Sequence, residues 1–260
     1  MSDWVRVETV EGIRTLRVDR QEKLNALNAE VLADLERAIA AAAGDETLRC
    51  LIVTGAGEKA FIAGADIGEL AKLTPVGGRE HALRGQEVFQ ALECLPIPSI
   101  AAINGYAYGG GLELALACTL RVASENARMG LPETSLGILP GYGGTQRLAR
   151  LVGQAKAFEL VLTAEKAVTA QEALRIGLVN RVVPAGQALA AALELARAIS
   201  RNGPAACRYA REAIRRGAEM PLAEGLAFEA TLFGLCAATE DMREGMTAFL
   251  EKRPARFTGR

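Results

Sequence analysis

A single histidine, His81, serves the whole 260-residue chain, and that scarcity excludes a good deal of chemistry. Serine or cysteine nucleophilic triads would all need this imidazole, yet it lies in the polar stretch Arg79-Glu80-His81 and is expected to face solvent on a helix. One imidazole and five scattered cysteines give no metal set. Those cysteines (Cys50, Cys94, Cys118, Cys207, Cys236) are odd in number, lack C-x-x-C spacing and mostly lie among apolar residues, so reduced, buried thiols in a cytoplasmic protein are expected. Aromatic residues make up only 5%, which argues against a two-carboxylate glycosidase with its aromatic sugar platforms. No Gly-Lys-Ser or Gly-Lys-Thr follows a glycine loop, so a P-loop is absent. The longest apolar runs, such as Ala38 to Ala43, are too short to cross a bilayer, and Met1-Ser2-Asp3-Trp4-Val5-Arg6 carries no signal-peptide pattern. A net charge of -1 and a pI near 6.1 remove any global electrostatic reason to bind nucleic acid or an anionic membrane.

What remains is a globular composition, half hydrophobic and 23% charged, long enough for one large domain or a domain with an appendage. Trp4 to Val10 and Ile13 to Val18 alternate apolar and polar residues around Glu11-Gly12 and predict a hairpin. Asn28 caps a helix carrying Val31, Leu32, Leu35 and Ile39 until Gly44 stops it. Cys50 to Thr54 is a short apolar strand of the kind buried on both faces. Ala60 to Ile67 is a small-residue segment leading into a helix from Asp66 to Leu73, and a longer helix covers Arg79 to Leu95; Pro75-Val76-Gly77-Gly78 between them looks mobile. Ser99 to Ile103, a glycine turn, a helix from about Gly110 to Cys118 and Leu120 to Ala123 form a strand, helix, strand unit beside the strand at Leu51. Beyond Gly144 the pattern is helical, with a capping box of Thr169 and Glu172 and a last strand at Val179 to Val182. A core over residues 1–200 and an all-helical region over 201–260 are expected.

The special residues concentrate between Pro98 and Leu148. Asn104-Gly105-Tyr106-Ala107-Tyr108-Gly109-Gly110-Gly111-Leu112-Glu113 runs from a strand through three glycines into a helix opening with a carboxylate. That helix start favours the ionised acid by about 0.3 to 1 kcal/mol, which suits a base. Glu133, after Leu131-Pro132, is placed in a drier pocket where desolvation raises its pKa. Two acids held in different protonation states can run acid and base steps together. Bare backbone at Gly109, Gly110 and Gly111 lets a substrate approach N–H donors at the helix start, and Ala63-Gly64-Ala65 can supply a second donor. Each feature alone has a plainer reading, a tight turn or a helix-end charge; their conjunction points to a reaction centre. A dinucleotide turn is disfavoured, since Glu113 would place negative charge where the pyrophosphate sits.

These residues resemble the enoyl-CoA hydratase, or crotonase, family, and its bacterial short-chain members most. The matching blocks are Lys59 to Ile67, Ile103 to Ala115, Leu131 to Leu148 and the ending Phe249-Leu250-Glu251-Lys252-Arg253, so the likeness covers nearly the whole chain. The resemblance implies an α/β fold, a spiral of ββα units with a C-terminal helical trimerisation region, assembled as a homotrimer or a homohexamer. It implies that Ala65 and Gly110 N–H groups hold a thioester oxygen while Glu113 and Glu133 carry protons in the hydration of an enoyl-CoA. Members that lack one or both acids run other reactions, so keeping both separates a hydratase from most isomerases and hydrolases. Coenzyme A (CoA) is implied as part of the substrate, with no separate cofactor. Leu24, Ala26, Ala63, Asp66 and Ile67 match positions lining its groove, and Phe249 and Lys252 match C-terminal residues that reach it from a neighbouring subunit. Gly68 stands where many hydratases have a lysine, which removes one nucleotide contact. A non-catalytic acyl-CoA- or RNA-binding oligomer is the other class, with Arg208, Arg211 and Arg215 as its basic face.

Overall fold

Alternation at the start of the chain does produce the hairpin. β1 (Val5–Val10) and β2 (Ile13–Val18) pair antiparallel across Glu11 and Gly12. Both turn residues have positive φ, 52° and 74°, as a two-residue turn matched to strand twist requires. The computed structural model describes residues 4–260, so Met1 to Asp3 of the segment read for a targeting signal lie outside the described residues. In α1 (Ala29–Ala43) the Asn28 side chain accepts the Val31 N–H, and Val31, Leu32, Leu35 and Ile39 face the core.

From residue 50 the chain repeats one unit. A long strand, a short strand and helix follow in β3 (Cys50–Gly55), β4 (Ala60–Ala63), α2 (Ile67–Leu70) and α3 (Pro75–Glu93). The unit recurs in β5 (Ser99–Ile103), β6 (Tyr106–Tyr108) and α4 (Gly110–Ala117), and again in β7 (Leu120–Ser124) and β8 (Arg128–Gly130), with a 3-10 turn at Pro132–Leu136 before α5 (Gly144–Val152). α6 (Gln154–Leu162), β9 (Val168–Thr169), α7 (Ala170–Arg175) and β10 (Arg181–Val183) complete two sheets. Their orders are β1-β2-β3-β5-β7-β10 and β4-β6-β8-β9. The expected α/β spiral of ββα units is therefore present: successive first strands pair in parallel in one sheet, and successive second strands in the other.

β3 shows why the large sheet is stable. Leu51 and Val53 enter the cluster between the sheets and helices, while Ile52 enters a second cluster with Ile100, Val122 and Ala192 of α8 (Ala188–Ser200). Both faces are covered, and each such fully buried aliphatic side chain contributes about 1.5–3 kcal/mol. α9 (Pro204–Gly217), α10 (Leu222–Ala237) and α11 (Glu240–Leu250) follow. No single helix among the described residues is long and apolar enough to cross a bilayer; α10 and α11 are bent 76° apart.

Several expectations shift. The segment 75–78, expected to precede the helix, is the first turn of α3, started by Thr74 accepting the Gly77 N–H and by Pro75 in the first turn. The last strand is Arg181–Val183, two residues later than its apolar run suggested at the start. Of the cysteines only Cys50 and Cys118 are buried, with thiols pushed up to about 12 by burial, while Cys94 is exposed and Cys207 and Cys236 are half-buried. Arg211 does not join a solvated basic face: its guanidinium donates to the carbonyls of Glu93 and Leu95 at the end of α3.

Candidate active site

The small sheet decides where the reactive groups meet. β4, β6 and β8 run parallel, with Ala63 beside Tyr108 and Tyr108 beside Gly130. Their carboxyl ends open on one edge, the place where α/β sheets bind ligands. After β4 comes Gly64-Ala65, after β6 comes Gly109-Gly110 with Glu113 beyond, and after β8 comes Glu133. Segments distant in sequence are neighbours for this reason.

Two backbone donors follow from local geometry. Leu27 donates to Gly64 O (2.8 Å) and accepts from Asp66 N (2.7 Å), a parallel bridge opposite Ala65. In such a bridge the opposed residue points its own N–H to the other side. Ala65 N–H thus points away from Leu27, and the Gly64 Cα just before it lies 3.7 Å from where a Cβ on Gly109 would stand. Gly110 is the first residue of α4 and its N–H has no acceptor inside the helix. Gly109 itself sits at φ 48°, ψ −125°, a conformation open to glycine alone. A side chain there would also meet Glu133 Oε1 at 2.6 Å.

Glu113 is buried at 2% exposure. Its Oε1 accepts N–H groups from Tyr142 (2.8 Å) and Gly144 (2.7 Å). Gly144 opens α5, so the positive helix end facing this carboxyl belongs to α5 rather than to its own helix. A Cβ at Gly144 would lie 2.9 Å from both Cγ and Oε1 of Glu113. The glycine-rich run Gly141-Tyr142-Gly143-Gly144 thus holds the acid.

Electrostatics also revises the expectation of a readily ionised Glu113. Burial pushes it up to about 8, the Glu133 charge adds to the rise, and the two N–H donors oppose it. Glu133 rises to about 7 through burial, as its apolar flanks suggested. Its Oε2 is buried without a hydrogen-bond partner. Burial places the higher value on Glu113, whereas two N–H donors from other residues favour the carboxylate at Glu113 and Glu133 has only its own backbone N–H to do so. With the acids interacting, they titrate as a pair, and the short N–H contacts are the firmer guide to where the charge settles.

The loop that grips Glu113 is itself held by α3. Gln86 donates to Gly141 O (2.8 Å), and Arg147, paired with Glu93 at 2.8 Å, donates to Tyr142 O (3.0 Å). The Tyr142 hydroxyl is hydrogen-bonded to His81 Nε2. His81 is therefore half-buried against Tyr142 instead of facing solvent, and burial lowers its pKa. Tyr142, His81 and the Gly144 N–H were missed as site groups because their partners come from other elements; the Gly141 to Gly144 cluster was the available signal.

Of the residues matched to a CoA groove, five gather beside this edge. Ala63 N–H donates to Leu24 O (3.1 Å), which brings Leu24 and Ala26 against the end of β4. Asp66 caps α2 through the Gly68 N–H (2.9 Å) and pairs with Arg20 (3.0 Å), with Ile67 and Gly68 exposed beside it. Phe249 is placed elsewhere in the chain, 82% exposed and lining a cavity of 730 Å³ between α9, α10 and α11. Lys252 follows it, also exposed, at φ 55°.

The chain is similar to known proteins over nearly its whole length. Residues 8–260 match the family model described as enoyl-CoA hydratase/isomerase. The short-chain-enoyl-CoA hydratase of Clostridium acetobutylicum is 46% identical over 249 residues, 96% of this chain and 95% of that protein. The crotonyl-CoA hydratase of Syntrophomonas wolfei is 45% identical, covering 96% of each. A crystal structure of an enoyl-CoA hydratase from Bacillus anthracis superimposes with a TM-score of 0.95 at 41% identity, over 99% of this chain and 100% of that one.

Proposed function

The chain belongs to the enoyl-CoA hydratase/isomerase family, and we propose that it works as an enoyl-CoA hydratase with Glu113 and Glu133 as its acid–base pair. It adds water reversibly to a trans-2-enoyl-CoA to give the (3S)-3-hydroxyacyl-CoA. The observation that carries the reading is a pair of buried, raised-pKa carboxyls, one of them against the Gly109 turn, which itself lies beside Gly64. Glu113, held as carboxylate by two N–H groups, takes a proton from water as its oxygen bonds to C3. Electron density moves onto the thioester oxygen, where the Ala65 and Gly110 N–H groups stabilise it; one such donor is worth about 2.7–4 kcal/mol. Glu133 then gives its proton to C2. A proton passes from Glu113 back to Glu133 after release, which their mutual coupling makes easy.

The reaction needs no cofactor, because CoA arrives with the substrate. Leu24, Ala26, Ala63, Asp66, Ile67 and Gly68 line its groove in this reading, supported by their gathering beside Ala65. Phe249 and Lys252 reach CoA from a neighbouring copy in a homotrimer or homohexamer. Supporting this, Ile214, Phe233, Phe249 and Leu250 each leave about three quarters or more of their surface exposed, a large apolar area for a single chain. The enzyme is cytoplasmic, consistent with three thiols that are not buried yet stay unpaired.

Adding the enzyme to crotonyl-CoA tests the function: the ultraviolet band of the conjugated thioester is expected to fall as the double bond is hydrated. A band left unchanged would sink the reading, and conversion of a 3-enoyl-CoA without hydration would mark an isomerase.

A further inference from the structure

The Glu113 carboxyl is held by a peptide whose own side chain is anchored far along α3. Tyr142 gives its backbone N–H to Glu113 Oε1, while its ring is buried at 3% exposure. Gly85 is bare beneath the ring, since a Cβ there would meet Tyr142 Cδ1 at 2.1 Å. Phe89 packs edge-on to the same ring, with centroids 5.4 Å apart. On the opposite side the ring touches the catalytic turn: a Cβ on Gly110 would lie 3.3 Å from Tyr142 Cδ2. Its hydroxyl ends on His81 Nε2, where the imidazole lies 5.2 Å from the ring centroid. The ring thus bridges α3 to both the oxyanion turn and the base.

We propose that the His81–Tyr142 hydrogen bond is a positioning device for the reaction, fixing the peptide that holds Glu113. This rests on the hydratase reading and adds two residues to it that do not touch the reacting atoms. A buried hydroxyl has one rotor, and a partner at its end sets the ring's angle and, through the Cα, the direction of the 142 N–H. The charged groups around the pair are Glu69 from α2, Glu113 from α4 and Arg147 from α5. Loosening the peptide weakens a bond that favours the carboxylate, so the pKa of Glu113 rises.

Tyr142→Phe keeps the ring and removes the hydroxyl; His81→Leu removes its partner. Each is expected to lower kcat for crotonyl-CoA about three- to tenfold, the scale of one hydrogen bond, with KM changed less than about twofold. The acid limb of the kcat–pH profile moves to higher pH in both, and the double variant loses no more than either single one. His81→Gln, which can still hydrogen-bond the hydroxyl as donor or acceptor, recovers most of the loss. Carbon NMR titration of the carboxyls in the free enzyme reads the same upward shift without turnover, so the proposal stands or falls apart from the activity assay. Unchanged kcat and pH profile in Tyr142→Phe overturn it. So do additive losses in the double variant, or a loss of kcat with the limb and the carboxyl titration unmoved, which would mark a purely structural contact.

Discussion

In the six-stranded sheet, β3 sends Leu51 and Val53 to one apolar cluster and Ile52 to another. In the four-stranded sheet, β4, β6 and β8 run for four, three and three residues and end in turns carrying Ala65, Gly110 and Glu133. Long, doubly covered strands supply burial and carry no reactive group at their ends. The short strands also bury side chains, Phe61, Ile62 and Met129 among them, but each ends within a few residues in a turn. Their brevity is useful, because the turn that follows starts close to the sheet edge and three such turns stand next to one another. Both sheets therefore supply burial, while the reactive turns are confined to the ends of the small sheet by one repeating unit.

That division can be broken from either side. The largest change is expected from Glu113→Gln and Glu133→Gln, each lowering kcat by roughly 100-fold or more while the fold is kept; steady-state kinetics with crotonyl-CoA measure it, and full activity in either variant would refute the paired role. In the large sheet, Ile52→Ala should destabilise by about 2–5 kcal/mol, read by urea unfolding, with kcat of the folded enzyme unaltered. A large fall in kcat there would mean that the two sheets are not separable. Gly144→Ala forces a Cβ to within 2.9 Å of Glu113, and kcat should drop roughly 10- to 100-fold as the acid is displaced, with stability changed less than in Ile52→Ala.

The smallest effect sharpens the electrostatics. Glu113 and Glu133 titrate near 4.5 when unfolded and up to about 8 and about 7 when folded. A raised acid makes the native state bind more protons, so its stabilising contribution is full below about 4.5 and is lost as pH rises through 7 to 8. Either Gln variant should then melt above the wild type at pH 8 and converge with it toward pH 4.5. A pH-independent difference would remove burial as the cause. Ile52→Ala should show no such pH dependence.

The legibility of the two sheets differs for the same physical reason. β3 and β5 announce themselves through continuous apolar runs, and Asn28 and Thr169 mark helix starts by side chains that do accept the expected N–H groups. Ala60 to Ala63, Tyr106 to Tyr108 and Arg128 to Gly130 are too short for any period to register, and so the small sheet was legible only through resemblance. Glu113 and Glu133 could be singled out from their flanks, but the helix that faces Glu113 could not be named, because α5 starts thirty-one residues further on.

By itself the sequence determined the long strands, the helix caps, the glycine turns and the two acids, since each depends on neighbours within a few residues. Tertiary structure alone decided that three strand ends lie abreast and that the Tyr142 and Gly144 peptides hold the base. It also turned His81 inward and raised both carboxyls. Desolvation and hydrogen bonding are properties of what surrounds a group, and here the surroundings come from elements that only folding brings together.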